Sequence, residues 1–247
     1  MYSRNYLYIN SESQEAIKNF HLLIGGCGLG SVIAECALRL GFESICIIDG
    51  DKVELSNLNR QNYTRNDIGK LKTESLKERL LQINPDARIE TISAFLNEQN
   101  IANHLSKRFD AAINTIDFTS NIPFLFDEIC CNANIPVLHP LNLGWGGAVV
   151  VIDQYSKRLI ELQADFRGFE LCLARHILNE LKQMENAPDY LPGVLKKYAE
   201  IKTQGISPPQ LAVGSFFVAS ICTTLLHNLC LKQSLKTFPK VYFEAVT

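Results

Sequence analysis

A chain of 247 residues with 47% hydrophobic and 20% charged content can fill a core, as one large domain or a domain with an appended lobe. A formal net charge of −2 excludes any general electrostatic attraction to nucleic acid or membrane surfaces. The eight cysteines include several inside apolar runs, where a thiol behaves as a small hydrophobe, and the first 18 residues lack the apolar stretch of a signal peptide. Together these features predict a cytoplasmic, reduced protein.

Residues 21–26 (HLLIGG) read as a buried strand breaking at glycine, residues 29–40 as a helix stopped by Gly41, and residues 44–48 (SICII) as a second strand. This is the strand–helix–strand unit of a parallel sheet. A polar stretch over 54–69 precedes a helix over 71–83, a strand over 88–92, a helix over 99–107 and a strand over 110–115. A helix over 122–131 and a strand beginning at 136–138 continue the alternation, which predicts an α/β fold with a doubly wound, Rossmann-like, mainly parallel sheet.

The pattern then changes. Residues 148–152 and 159–162 read as two strands joined by a turn, an antiparallel C-terminal extension. Residues 166–202 read as mostly helical around a loop at 188–192, and Pro208 and Pro209 suit the first turn of a long apolar helix over 211–231. That run nearly matches a bilayer span, but its serines, threonines, His227 and Asn228 favour a helix buried in a soluble core, with no membrane partner. Residues 241–246 read as an edge strand. The chain thus reads as a single domain in two parts, residues 1–147 with the doubly wound sheet and residues 148–247 as a C-terminal part.

The chemistry begins at Gly25–Gly26–Cys27–Gly28–Leu29–Gly30, where a mononucleotide fold places its phosphate site. Glycines permit tight turns and let backbone amides approach an anion, although similar turns also serve plain strand-to-helix packing. Cys27 occupies the second glycine position of the G-x-G-x-x-G pattern, which narrows the turn. Asp49 closes the second strand, where a carboxylate accepts both ribose hydroxyls; this suits NAD and ATP equally. Asn57, Arg60 and Gln61 follow it and Lys72 opens the next helix, cations that a triphosphate needs more than a diphosphate does. No Walker-type G-K-S/T is present. Asp117, at the end of the fourth strand, either holds Mg²⁺ against phosphates or caps the following helix.

Taken together, G-G-C-G-L-G-S, I-D-G-D-K-V-E-L-S-N-L-N-R-Q, I-G-K-L-K and I-N-P resemble the ThiF/MoeB/HesA family, whose fold is shared by ubiquitin-activating enzymes. The match runs from about Tyr2 to Leu138, is dense over 25–85, and is highly specific in D-x-D…S-N-L-x-R-Q. The resemblance implies MgATP-dependent adenylation of a carboxylate, usually the C-terminus of a ubiquitin-like carrier protein or a peptide, with release of pyrophosphate. It implies that Gly25, Gly26, Gly28, Gly30 and Asp49 cradle the nucleotide and that Asn57, Arg60, Gln61 and Lys72 surround its phosphates. Asp117 matches the magnesium-associated aspartate, and Arg4 matches an N-terminal arginine that reaches a partner subunit's ATP, which implies a homodimer.

Three departures bear on this reading. The chain has no C-x-x-C pair, so no structural zinc is expected. Cys172 lies between leucines in FELCL, which favours packing over a thioester step. Phe118 replaces an asparagine beside Asp117, while His139–Gly147 (HPLNLGWGG) occupies the stretch where relatives line the acyl path. Zinc-lacking relatives imply a second substrate, a carboxylate on a modified tRNA nucleoside, which the near-neutral charge disfavours. A scaffold without turnover and an NAD oxidoreductase complete the alternatives.

Overall fold

The computed structural model describes residues 1–201 and 207–246. Helix α1 (Ser11–Asn19) leads into β1 (His21–Gly25), α2 (Leu29–Leu40) and β2 (Ser44–Ile48). A polar segment then reaches α3 (Lys72–Ile83), β3 (Arg88–Ile92), the short α4 (Ile101–His104), β4 (Ala111–Asn114) and α5 (Ile122–Asn132). Strands β5 (Val137–Asn142) and β6 (Gly146–Ile152) precede α6 (Phe169–Gln183), α7 (Tyr190–Ile201), α8 (Ala212–Cys230) and β7 (Tyr242–Ala245).

One sheet of order β3-β2-β1-β4-β5-β6-β7 holds all these strands. β1 to β5 are parallel, and β6 and β7 add antiparallel. The inner strands β1, β2 and β4 are covered on both faces, which explains why they read as continuous apolar runs without alternation, whereas edge strand β3 stays partly exposed. After β1 the chain winds outward through β2 and β3, then crosses back to β4 on the other side of β1. The carboxyl ends of β1 and β4 therefore part at a topological switch point, where open α/β sheets form their binding crevice.

Two glycines define how α2 joins this sheet. Gly41 ends the helix at φ +129°, donating its N–H to the carbonyls of Ala37 and Leu38. Gly26 turns the chain at φ +90° directly against Thr115, where an added Cβ would fall 2.5 Å from Oγ1 and 2.8 Å from the backbone oxygen.

The antiparallel extension exists but is built differently from the sequence expectation. Residues 159–161 form a 3-10 turn, because Arg158 N–H donates to Glu161 Oε1 at 2.7 Å while Leu159 is buried in the second core cluster. β7 takes the place next to β6 instead, as the sheet's edge strand. The helix expected over 99–107 shrinks to four residues, the loops around it being held by Asn97 and Asn100 side chains. Pro208 and Pro209 precede α8, whose N-cap is Leu211. The helical expectation up to residue 202 is met by α7 as far as Ile201, and residue 202 lies outside the described residues.

Helix α8 is the one helix among the described residues long and apolar enough to cross a membrane, with a mean hydropathy of 1.5. Half of that window is buried, against α2 and the β6 side of the sheet.

Candidate active site

A cavity of about 460 Å³ opens at the carboxyl ends of β1, β2, β4 and β5, as the switch-point rule requires. Gly26, Gly28, Asp49, Arg60, Gln61, Lys72 and Asp117 line it. Seven of the sequence candidates, drawn from segments up to 91 positions apart, thus meet in one place.

The phosphate-type turn is shaped by packing as much as by any ligand. Gly25 and Gly30 lie outside the cavity wall. A Cβ on Gly25 would meet the Phe126 and Ile116 side chains at 3.0 and 3.1 Å, and one on Gly30 would meet Ile24 at 2.8 Å. Gly28 and Gly26 face the cavity, Gly28 with Gln61 Nε2 at 3.2 Å from the Cβ position. Gly28 is the N-cap of α2 and supplies no side-chain cap, so the amides of Leu29 and Gly30 have no side-chain acceptor. Cys27 does not narrow this turn: its side chain is fully buried in the core, and burial pushes its thiol well above the ordinary range. Its backbone N–H donates to Asp49 Oδ2 at 2.6 Å.

Asp49 is locked by that bond and by Asp51 N–H, which donates to Oδ1 at 2.7 Å. Each oxygen keeps a further lone pair outside these two bonds. Lys72 is buried and pairs with Asp51 at 2.9 Å. Arg60 donates from Nε to Gln210 Oε1 at 2.7 Å and from Nη1 to Ser56 O and Asn59 Oδ1. Gln61 carries a buried Oε1 with no partner, an unmet acceptor at the cavity wall.

Asp117 opens on the water of the cavity, yet it sits deep in the concavity. Desolvation, followed by the nearby Asp51 and Asp49, raises its pKa, against the lowering effect of Lys72 and Arg60. No group of three or more His, Cys, Asp or Glu side chains with metal-binding geometry occurs among the described residues.

Two candidates stand elsewhere. Asn57 is buried and outside the cavity wall; its Oδ1 accepts from Glu54 N–H at 3.0 Å, capping a 3-10 turn. Arg4 is exposed on an N-terminal 3-10 turn that is not part of the cavity. Cys172 is half-buried on α6 and does not line the cavity either.

Beyond Lys72 and Asp117 the cavity continues between β5 and α6–α7. Leu141, Leu143, Leu173, Ala174 and Val194 give it apolar walls. Phe118 stands at the join, its ring 4.4 Å from Phe169 and its backbone N–H donating to Glu170 Oε1 at 3.1 Å. The sequence reading missed Thr115 and Gln210. Thr115 Oγ1 reaches the carbonyls of Gly25 and Gly26, both at 2.9 Å, and so braces the turn. Its place at a strand end was a usable signal; for Gln210 the sequence held none.

The ThiF family profile matches residues 2–243 of this chain. The chain belongs to the ThiF family. It is 36% identical over 96 residues to tRNA threonylcarbamoyladenosine dehydratase of Escherichia coli, covering 38% of this chain and 36% of that protein. To the protein of the same name from Bacillus subtilis it is 30% identical over 143 residues, 57% of this chain and 56% of the other. The adenylyltransferase and sulfurtransferase MOCS3 of Drosophila willistoni is 31% identical over 154 residues, 61% and 33% respectively. The chain thus spans between about a third and just over half of the length of these relatives. Among solved structures, Escherichia coli MccB with AMPCPP and MccA superposes with a TM-score of 0.71 at 20% identity, covering 99% of this chain and 70% of the other. MccB with ATP gives 0.69 at 21% identity, with 99% and 71% covered. At that identity the likeness establishes the fold, and it spans both the parallel and the antiparallel parts of the sheet.

Proposed function

We propose that this ThiF-family protein adenylates a carboxylate with ATP and releases pyrophosphate. The observation that carries this reading is the junction inside one cavity. The uncapped amides of α2, Arg60, Lys72 and Asp117 form a phosphate end, which continues into an apolar chamber between β5 and α6. A dinucleotide oxidoreductase has no need of two cations beside Asp49.

The residues fit ATP. Gly28 lines the cavity without a side chain, Asp49 is held by two backbone amides as a ribose acceptor would be, and Gln61 Oε1 lacks a donor. In the reaction an ionised carboxylate attacks the α-phosphorus and pyrophosphate leaves with charge growing on its oxygens. Arg60 and Lys72 neutralise that charge, so positioning and electrostatics supply the catalysis without a general base. Asp117 is the carboxylate that would hold Mg²⁺; a single carboxylate suits that ion, which is usually shared with substrate phosphates and water. Bound Mg²⁺ would supply further charge to the phosphate oxygens.

The apolar, cation-poor chamber favours an extended peptide or carrier-protein C-terminus as the acyl substrate. The likeness to proteins named tRNA threonylcarbamoyladenosine dehydratase supports a second reading, a carboxylate on a modified tRNA nucleoside. Arg4, exposed and outside its own cavity, is free to serve a second copy, which supports a homodimer with shared sites. ATP–pyrophosphate exchange with a synthetic peptide ending in glycine, compared with tRNA carrying threonylcarbamoyladenosine, tests the reading. Exchange with either carboxylate is expected; binding of ATP without exchange in any carboxylate's presence would leave a scaffold instead.

A further inference from the structure

Adenylation of a carboxylate uses no proton acceptor, yet the cavity wall contains one that is held in place. His139, on β5, lines the cavity and is 3% exposed. Its Nε2 lies 2.6 Å from Oδ1 of Asp127 on α5, which is equally buried. The same Oδ1 accepts from Asn114 Nδ2 on β4 at 3.0 Å, and Asn114 is itself fixed by the carbonyl of Pro123. Three elements thus fix one imidazole. An ionised Asp127 only accepts, so Nε2 bears the hydrogen and Nδ1 is left with its lone pair.

Asp127 Oδ2 is buried without a partner. An unpaired carboxylate oxygen is costly in a protein interior. The arrangement is a base oriented by a third group, the pattern that activates a protonated nucleophile. Around the cavity the other charged groups are Asp49, Asp51, Arg60, Lys72, Asp117 and Glu170. Among the described residues none of them bonds His139, whose ring otherwise stacks on Phe118 at 6.3 Å.

We infer that His139, positioned by Asp127, is the general base of a second step in which a primary amine takes the acyl group from the adenylate. This rests on the adenylation reading, since the acyl adenylate is that reaction's product. The amine nitrogen attacks the carbonyl carbon, the carbon–nitrogen bond forms, and the bond between the carbonyl carbon and the phosphate oxygen breaks. AMP leaves with the electron pair, while the nitrogen's proton passes to His139 Nδ1 and then to solvent. The product is an amide and the overall function a ligation.

The test supplies the intermediate directly. Preformed N-acetylglycyl adenylate and glycinamide are incubated with the full chain, and amide formation is followed beside ATP–pyrophosphate exchange. The unsubstituted protein is expected to accelerate amide formation. His139→Gln, which keeps a donor toward Asp127, is expected to lower the ratio of amide formation to exchange by about a hundredfold. Asp127→Asn should lower the same ratio, and added imidazole should restore amide formation in His139→Gly. Equal losses of both rates without imidazole rescue would reduce the pair to a structural tie and overturn the inference. So would the absence of any acceleration by the unsubstituted protein, a result that leaves the exchange assay to judge the first step separately.

Discussion

Arg60 Nε donates to Gln210 Oε1 at 2.7 Å across 150 positions of sequence, joining the segment after β2 to the stretch that enters α8. With Nη1 also committed to Ser56 O and Asn59 Oδ1, the guanidinium is fixed before any ligand arrives. Gln210 is therefore a positioning residue for Arg60. Gln210→Ala is expected to lower kcat/KM for ATP in pyrophosphate exchange by about tenfold, the equivalent of one hydrogen bond. Arg60→Ala should abolish exchange altogether, and full activity in that variant would overturn the site.

Asp117 differs from Asp49 in what holds it. Asp49 is locked by two backbone amides, whereas Asp117 faces the cavity among like charges. Asp117→Asn removes a charge without removing packing. Pyrophosphate exchange is expected to fall by at least about a hundredfold, and its dependence on Mg²⁺ concentration to flatten. Thermal unfolding of the variant should match that of the parent, which separates loss of chemistry from loss of fold.

Gly26 sits at φ +90° with the Thr115 backbone 2.8 Å from its Cβ position, so a methyl there meets main chain as well as an unfavourable dihedral. Gly26→Ala is expected to cost about 1–3 kcal/mol in urea unfolding and to weaken ATP binding measured by calorimetry. Wild-type affinity with wild-type stability would show that the turn has more slack than its geometry allows.

Glu35 on α2 receives Arg79 Nε at 2.5 Å, Arg39 Nε at 2.9 Å and Asn62 Nδ2 at 2.9 Å. Burial raises its pKa, but the hydrogen bonds from Arg79 and Arg39 prevail and hold it below the ordinary glutamate range. A folded-state pKa below the unfolded value stabilises the protein above the unfolded pKa, and this is lost as pH falls through the folded one. Glu35→Gln should therefore cost about 1–2 kcal/mol at pH 7, discounted for the exposed arginines, with the difference shrinking below about pH 4. Urea unfolding at both pH values checks the sign.

The sequence by itself determined the strand–helix alternation, because fully covered parallel strands must be apolar on both faces and so stand out as unbroken runs at β1, β2 and β4. It also made the candidate site residues legible, since Asp49, Arg60, Lys72 and Asp117 carry their charge and spacing openly and line one cavity. Tertiary structure decided the rest. Gly25 serves Phe126 and Ile116, partners some ninety or more positions away, and Cys27 turns into the core that only the folded sheet creates. β7 rather than residues 159–162 pairs with β6, because strand partners across some ninety positions are chosen by the packed faces and not by local propensity. The pairing of Asp127 with His139 and of Gln210 with Arg60 likewise arises where separate elements end side by side at the carboxyl edge of one sheet.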